Sequence, residues 1–115
     1  MHEYSIVAAL LERVGAEARA KHASRVHRLN VRIGELAGVD VQLLETAYTT
    51  FRERTICDGA ELVIQQVAAE WRCPHCSTLI ARGKALRCQA CDMPAQLVAG
   101  DEIFLDRIEM ETNHV

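Results

Sequence analysis

Aromatic residues make up only 4% of this 115-residue chain, which leaves few platforms on which nucleobases could stack. A basic excess is missing too. The formal net charge is -3 with His neutral, so the chain as a whole exerts no pull toward nucleic acid or anionic lipid. The best apolar run, Ile6 to Leu11, is six residues long, against the roughly 18–20 needed to span a bilayer. That run precedes Ala18-Arg19-Ala20 in the manner of a cleavable leader, but no Lys or Arg comes before it and Glu12-Arg13 interrupt it. The start therefore reads as a mature N-terminus, and the chain as cytoplasmic, in a reducing compartment. There is no Gly-x-x-x-x-Gly-Lys-Ser/Thr stretch to cradle a nucleotide, and no low-complexity tract.

What is present falls into two compositional parts. From Tyr4 to about His22, Val7, Leu10, Leu11, Val14 and Ala18 recur at helical spacing, with Glu12, Arg13, Glu17 and Lys21 largely on the other side. That is an amphipathic helix. Leu29, Val31 and Ile33 then alternate with Arg28, Asn30 and Arg32, giving a strand with one dry face and one wet face. Gly34 and Gly38 bracket a loop, and Asp40 stands where an N-cap belongs. Leu43, Leu44, Ala47, Tyr48 and Phe51 predict the buried stripe of a second helix. A turn at Asp58-Gly59 leads to a strand over about 60–68. Residues 103–110 predict another, whose alternation slips between Leu105 and Ile108 and so marks a bulge or an edge position.

Residues 70–98 differ, with four of the five cysteines, both prolines and no helical period. The expected fold is α+β: a discontinuous domain of two helices and a three-stranded sheet, built from 1–69 and 99–115. A four-cysteine, zinc-ribbon-like module at 70–98 is inserted into it. The strands flanking the insertion are expected to be antiparallel neighbours, joined as an overgrown hairpin. Such a connection invites chain exchange, so monomer and homodimer are both open.

The insertion carries Cys73-Pro-His-Cys76 and Cys88-Gln-Ala-Cys91. Each Cys-x-x-Cys turn aims two thiolates at one point, and two such turns complete the tetrahedron that structural zinc adopts. A segment this short cannot bury enough apolar surface to fold alone, so metal binding would supply much of its folding free energy. Spacing alone does not separate zinc from iron. Two matched pairs exceed what a redox dithiol needs, and Ser77 and Asp92 stand where covalent haem attachment would require histidine. Four thiolates also leave no open position for a hydrolytic water. His75 reads as a loop residue or an exchangeable ligand, and Cys57 as a buried or idle thiol. Arg72, Arg82, Lys84 and Arg87 outnumber Glu70 and Asp92 here. That excess serves solubility or an acidic partner surface, and it also keeps open a rival reading as a zinc-ribbon nucleic-acid or transcription accessory module.

The other candidate site is the start, Met1-His2-Glu3. A free chain of the form X-His offers an α-amine, a deprotonated amide nitrogen and an imidazole. These three corners of a square suit Ni²⁺ or Cu²⁺ better than tetrahedral Zn²⁺. The fourth corner stays open to Glu3, to another residue or to a partner's donor. The bland alternative is a frayed terminal histidine with Glu3 suiting the helix dipole.

Met1-His2-Glu3-Tyr4-Ser5 ahead of an amphipathic helix, a strand running into Ile33-Gly34-Glu35, and the paired Cys-x-x-Cys insertion resemble the HypA/HybF family. The resemblance covers essentially the whole chain. It implies a nickel metallochaperone rather than an enzyme, with His2 as principal nickel ligand assisted by the Met1 amine. Glu3 would be a ligand or an orienting neighbour. Asp40, in Gly38-Val39-Asp40, matches a family position near nickel and serves equally as a helix cap. The family's zinc thiolates map onto Cys73, Cys76, Cys88 and Cys91. Some members carry a histidine just after a knuckle, where this chain has Ser77 and Asp92. The implied partners are a HypB-type GTPase, the [NiFe]-hydrogenase large subunit and, in some members, urease maturation proteins.

Overall fold

A computed structural model describes residues 2–83 and 85–112. In chain order these form α1 (His2–Ala20), β1 (Ala23–Gly34), α2 (Val41–Phe51), β2 (Glu61–Val67), β3 (Glu70–Arg72), β4 (Leu79–Ile80), β5 (Gln96–Ala99) and β6 (Ile103–Thr112). The chain resolves into two compact units. One comprises Met1–Arg32, Val39–Gln65 and Phe104–Val115; the other comprises Ile33–Gly38 and Gln66–Ile103.

In the first unit α1 buries Glu3, Val7, Leu10, Val14 and Ala18, a stripe at helical period that packs against α2. The helix stops two residues before the expected His22, because His22 itself takes a left-handed conformation (φ 55°) that ends the turn. Asp40 caps α2 as expected, its Oδ1 accepting from the Leu43 N–H at 3.1 Å. Leu44, Ala47 and Tyr48 are the buried residues of that helix. Below them the Tyr48 hydroxyl donates to the Ala60 carbonyl at 3.0 Å. Phe51, expected in the buried stripe, is 49% exposed. It closes the last turn of α2, where no layer remains to cover it, and its ring lies edge-on to Tyr4 at 5.4 Å.

The sheet of this part has the order β2-β1-β6. This corrects the expected hairpin, since β2 and β6 are not neighbours and β1 lies between them. The reason is burial. Val26, Leu29, Val31 and Ile33 on β1 are all at most 2% exposed, and the strand with the driest face takes the centre. Charged strands fall to the edges, where water satisfies their outer backbone groups. The alternation slip in β6 accordingly belongs to an edge strand. On the wet face Arg28 bonds Glu61 at 2.7 Å and Glu109 at 3.4 Å, while Arg32 bonds Asp106 at 3.2 Å and stacks on Phe104.

The second unit holds a small antiparallel sheet of order β4-β3-β5. Its remaining segment, residues 33–38, is fixed by backbone bonds: Gly34 N–H to Glu102 O at 2.8 Å, Glu35 N–H to Val67 O at 2.8 Å, Leu36 N–H to Gly100 O at 2.7 Å. The Glu35 carboxylate accepts from the Ala69 N–H at 2.7 Å and pairs with Arg82. Two glycines permit this crossing. A Cβ on Gly34 would lie 2.2 Å from Gly100 C and O, and Gly100 (φ +98°) would meet Ala69 Cα at 2.5 Å. Gly34→Ala therefore forces backbone apart and should cost about 3 kcal/mol, read as a lower urea midpoint.

Candidate metal sites

The four predicted cysteines converge. Cys73, Cys76, Cys88 and Cys91 place their sulfurs within 4.8 Å of one another, and Cys76 Sγ lies 3.7 Å from Cys88 Sγ. A tetrahedral zinc with Zn–S near 2.3 Å sets its sulfurs about 3.8 Å apart, so the donor set and its spacing fit that ion.

The site is built twice from one local design. Cys73 N–H donates to Thr78 O at 3.0 Å, and Ser77 N–H donates to Cys73 O at 2.9 Å. Fifteen positions on, Cys88 N–H donates to Met93 O at 2.8 Å, and Asp92 N–H to Cys88 O at 2.8 Å. The residues that close each knuckle, Ser77 (φ 63°) and Asp92 (φ 52°), are both left-handed. The flanking pairs repeat as well, Arg72 opposite Leu79 and Arg87 opposite Pro94. Each arginine also clasps its own knuckle: Arg72 Nη1 donates to Ser77 O at 2.9 Å, and Arg87 Nε to Asp92 Oδ1 at 3.1 Å. This Arg-Cys-x-x-Cys repeat stands in the sequence, but the closing residues gave no compositional signal because neither is glycine.

Electrostatics favour a cation at the centre. Hydrogen bonds from the Thr78 hydroxyl and backbone bring the Cys76 thiol down to about 6. Cys76 beside it, followed by burial, pushes Cys91 up to about 12. Four adjacent thiols cannot all ionise unless a divalent ion offsets their repulsion. His75 is exposed, with its backbone N–H on Cys73 Sγ at 3.4 Å. Cys57 is fully buried and stands outside the cluster, its thiol pushed up by burial. Among the described residues the arginines of this excess are paired: Arg72 with Glu70, Arg82 with Glu35 and Arg87 with Asp92. Lys84 lies outside the described residues.

At the start of the chain the structure joins two of the other candidates. Glu3, 8% exposed, accepts the Asp40 backbone N–H on Oε2 at 2.9 Å, while Asp40 caps α2. The Asp40 N–H, then the residue's own N–H, hold the Glu3 carboxyl below the usual carboxylate range. A group lowered on folding stabilises the fold above its unfolded pKa and loses that contribution as pH falls through the lowered value. One carboxylate thus faces the positive ends of two helices. His2 is exposed beside it. Among the described residues, His2, Glu3 and Asp40 do not alone form a converged three-ligand group, and Met1 lies outside the described residues.

The family model described as "Hydrogenase/urease nickel incorporation, metallochaperone, hypA" matches residues 1–110. The chain belongs to the HypA family. It is 40% identical over 114 residues to the hydrogenase maturation factor HypA of Wolinella succinogenes, covering 96% of each chain. It is 36% identical over 115 residues to that of Shewanella baltica, covering 98% of each. The solution structure of the Ni metallochaperone HypA from Helicobacter pylori superposes with a TM-score of 0.72 at 30% identity, over 96% of this chain and 98% of that one. The HypA family is thus one of nickel-incorporating metallochaperones, and this member has its fold and a four-cysteine group that fits zinc.

Proposed function

We propose that this chain carries Ni²⁺ at its N-terminus and delivers it to the large subunit of a [NiFe]-hydrogenase. Family membership supports nickel as the cargo. The observation that carries the site is the bond from Asp40 N–H to Glu3 Oε2, which fixes the first turn of α1, where His2 stands, against the start of α2. The Met1 amine and His2 imidazole are the principal nickel ligands. Glu3 and Asp40 complete the site as neighbours or additional donors. Glu3 also offsets the positive helix ends that would otherwise oppose a divalent cation. Amine and imidazole shed protons on binding, so nickel affinity falls as pH is lowered.

A zinc ion at Cys73, Cys76, Cys88 and Cys91 serves structure. It supplies charge and four bonds that hold the two knuckles together, with no open position for chemistry. Arg72 and Arg87 each clasp one knuckle, through Ser77 O and the Asp92 carboxylate. A HypB-type GTPase is the expected source of nucleotide dependence, and urease maturation a further destination.

The decisive experiment is a nickel titration of the untagged chain beside one lengthened by a few residues at the N-terminus. The lengthened form removes the α-amine from position 1 and should lose stoichiometric uptake. Equal affinity and ratio in both would defeat the proposal.

A further inference from the structure

Most arginines of this chain have internal partners. Arg28, Arg32, Arg72, Arg82 and Arg87 are in ion pairs, and Arg52 lies over Tyr48. Three cations whose side chains make no hydrogen bond or ion pair to any described residue gather in one place. Arg13 and Lys21 are eight residues apart, about two helical turns, along and just past α1. Arg107 is on β6, where it feels Glu109 only at longer range. They line a groove of about 320 Å³ whose apolar wall is Leu105, Ile108 and Met110. The groove also holds two acids, but Asp106 is taken by Arg32. Glu17, between Arg13 and Lys21, pairs with neither. The groove is therefore net cationic in a chain of net charge -3.

Its second property is backbone. In the order β2-β1-β6, β6 has β1 on one side and, among the described residues, no strand on the other. Residues 105–110 thus offer edge N–H and C=O groups beside the groove, a template for an added strand.

We propose that this groove docks an extended acidic segment of a partner polypeptide, which adds as a strand to β6. The carboxylates, at every second residue, all point to one face of that strand and enter the groove toward Arg13, Lys21 and Arg107, while the intervening side chains point to the opposite face of the sheet. Charge selects this occupant over a second copy of the chain. Edge-to-edge pairing of two copies would set the same three cations against themselves, and like charges across strands repel.

The test uses the full-length chain and acetyl-(Glu-Val)4-amide as probe, followed by NMR. Expected shifts cluster at residues 13–21 and 105–110 and weaken with added salt. Acetyl-(Gln-Val)4-amide should bind about tenfold more weakly, and the Arg13→Ala/Lys21→Ala/Arg107→Ala variant should weaken the Glu peptide by a similar factor. All three positions are exposed, so the variant should keep the wild-type spectrum elsewhere. Equal affinity for the two peptides, an indifferent triple variant, or shifts confined to other residues would overturn the proposal. So would a concentration-dependent dimer abolished by Arg107→Ala, which would assign the edge to a second copy.

Discussion

His2→Ala should reduce nickel affinity by at least about 100-fold, since even outer-shell partners of metal ligands commonly cost 10- to 100-fold. Zinc content and the thermal transition should stay at wild-type values. The physical reason is separation of roles. His2 is exposed, whereas the bond that organises the N-terminus belongs to Glu3 and Asp40. In the proposed site, removing the imidazole would take away one corner of a square donor set and leave the packing of α1 on α2 intact. Calorimetric titration gives the affinity, and the ligand-field absorption of square-planar nickel reports the geometry. Nickel uptake equal to wild type would place the ion elsewhere.

Cys88→Ala should act on the other half of the chain, and more severely. In the second unit the described side chains that are fully buried and apolar are Ile33, Cys73 and Cys88. Two of those three are thiols of the metal cluster, while Leu79, Leu86, Met93 and Val98 stand exposed. Among the described residues of that unit no apolar core is large enough to replace a metal held by the four thiols. Structural zinc is worth about 10–16 kcal/mol in small modules, and three thiolates hold only part of that. The variant should bind zinc poorly and lose the ordered β4-β3-β5 sheet. The chain's single tryptophan, Trp71, stands on β3 two residues before Cys73, so a red shift in its emission reads the loss directly. Stripping zinc from wild type with a chelator should give the same shift. Cys57→Ala, outside the cluster, should not. An unshifted Trp71 in zinc-free protein would show that the thiols do not hold this unit together.

Much of this was legible in the residues. Helical spacing of Val7, Leu10, Val14 and Ala18 gave α1, and period-two alternation of Leu29, Val31 and Ile33 gave the dry face of β1. Two Cys-x-x-Cys pairs located a closed metal site, because the knuckle is a local motif whose ligands are set by spacing. Phe51 was misread because helical phase says which way a side chain points, not whether anything lies beyond the last turn to cover it. The neighbours of β2 and β6 were misread for a related reason. Strand pairing is a long-range choice, settled by the burial that β1 gains at the centre.

The sequence by itself determined the types of element, the four thiols and the Met1-His2-Glu3 start that the nickel proposal rests on, since each depends on residues within a few positions of one another. Tertiary structure alone decided what distant residues do together. It joined Glu3 to Asp40 across 37 positions and Glu35 to Ala69 and Arg82, and among the described residues it left β6 at an edge beside cations without side-chain partners. Chain entropy makes such contacts unreadable from local pattern. Their partners are selected only once a whole fold has put them within hydrogen-bond reach.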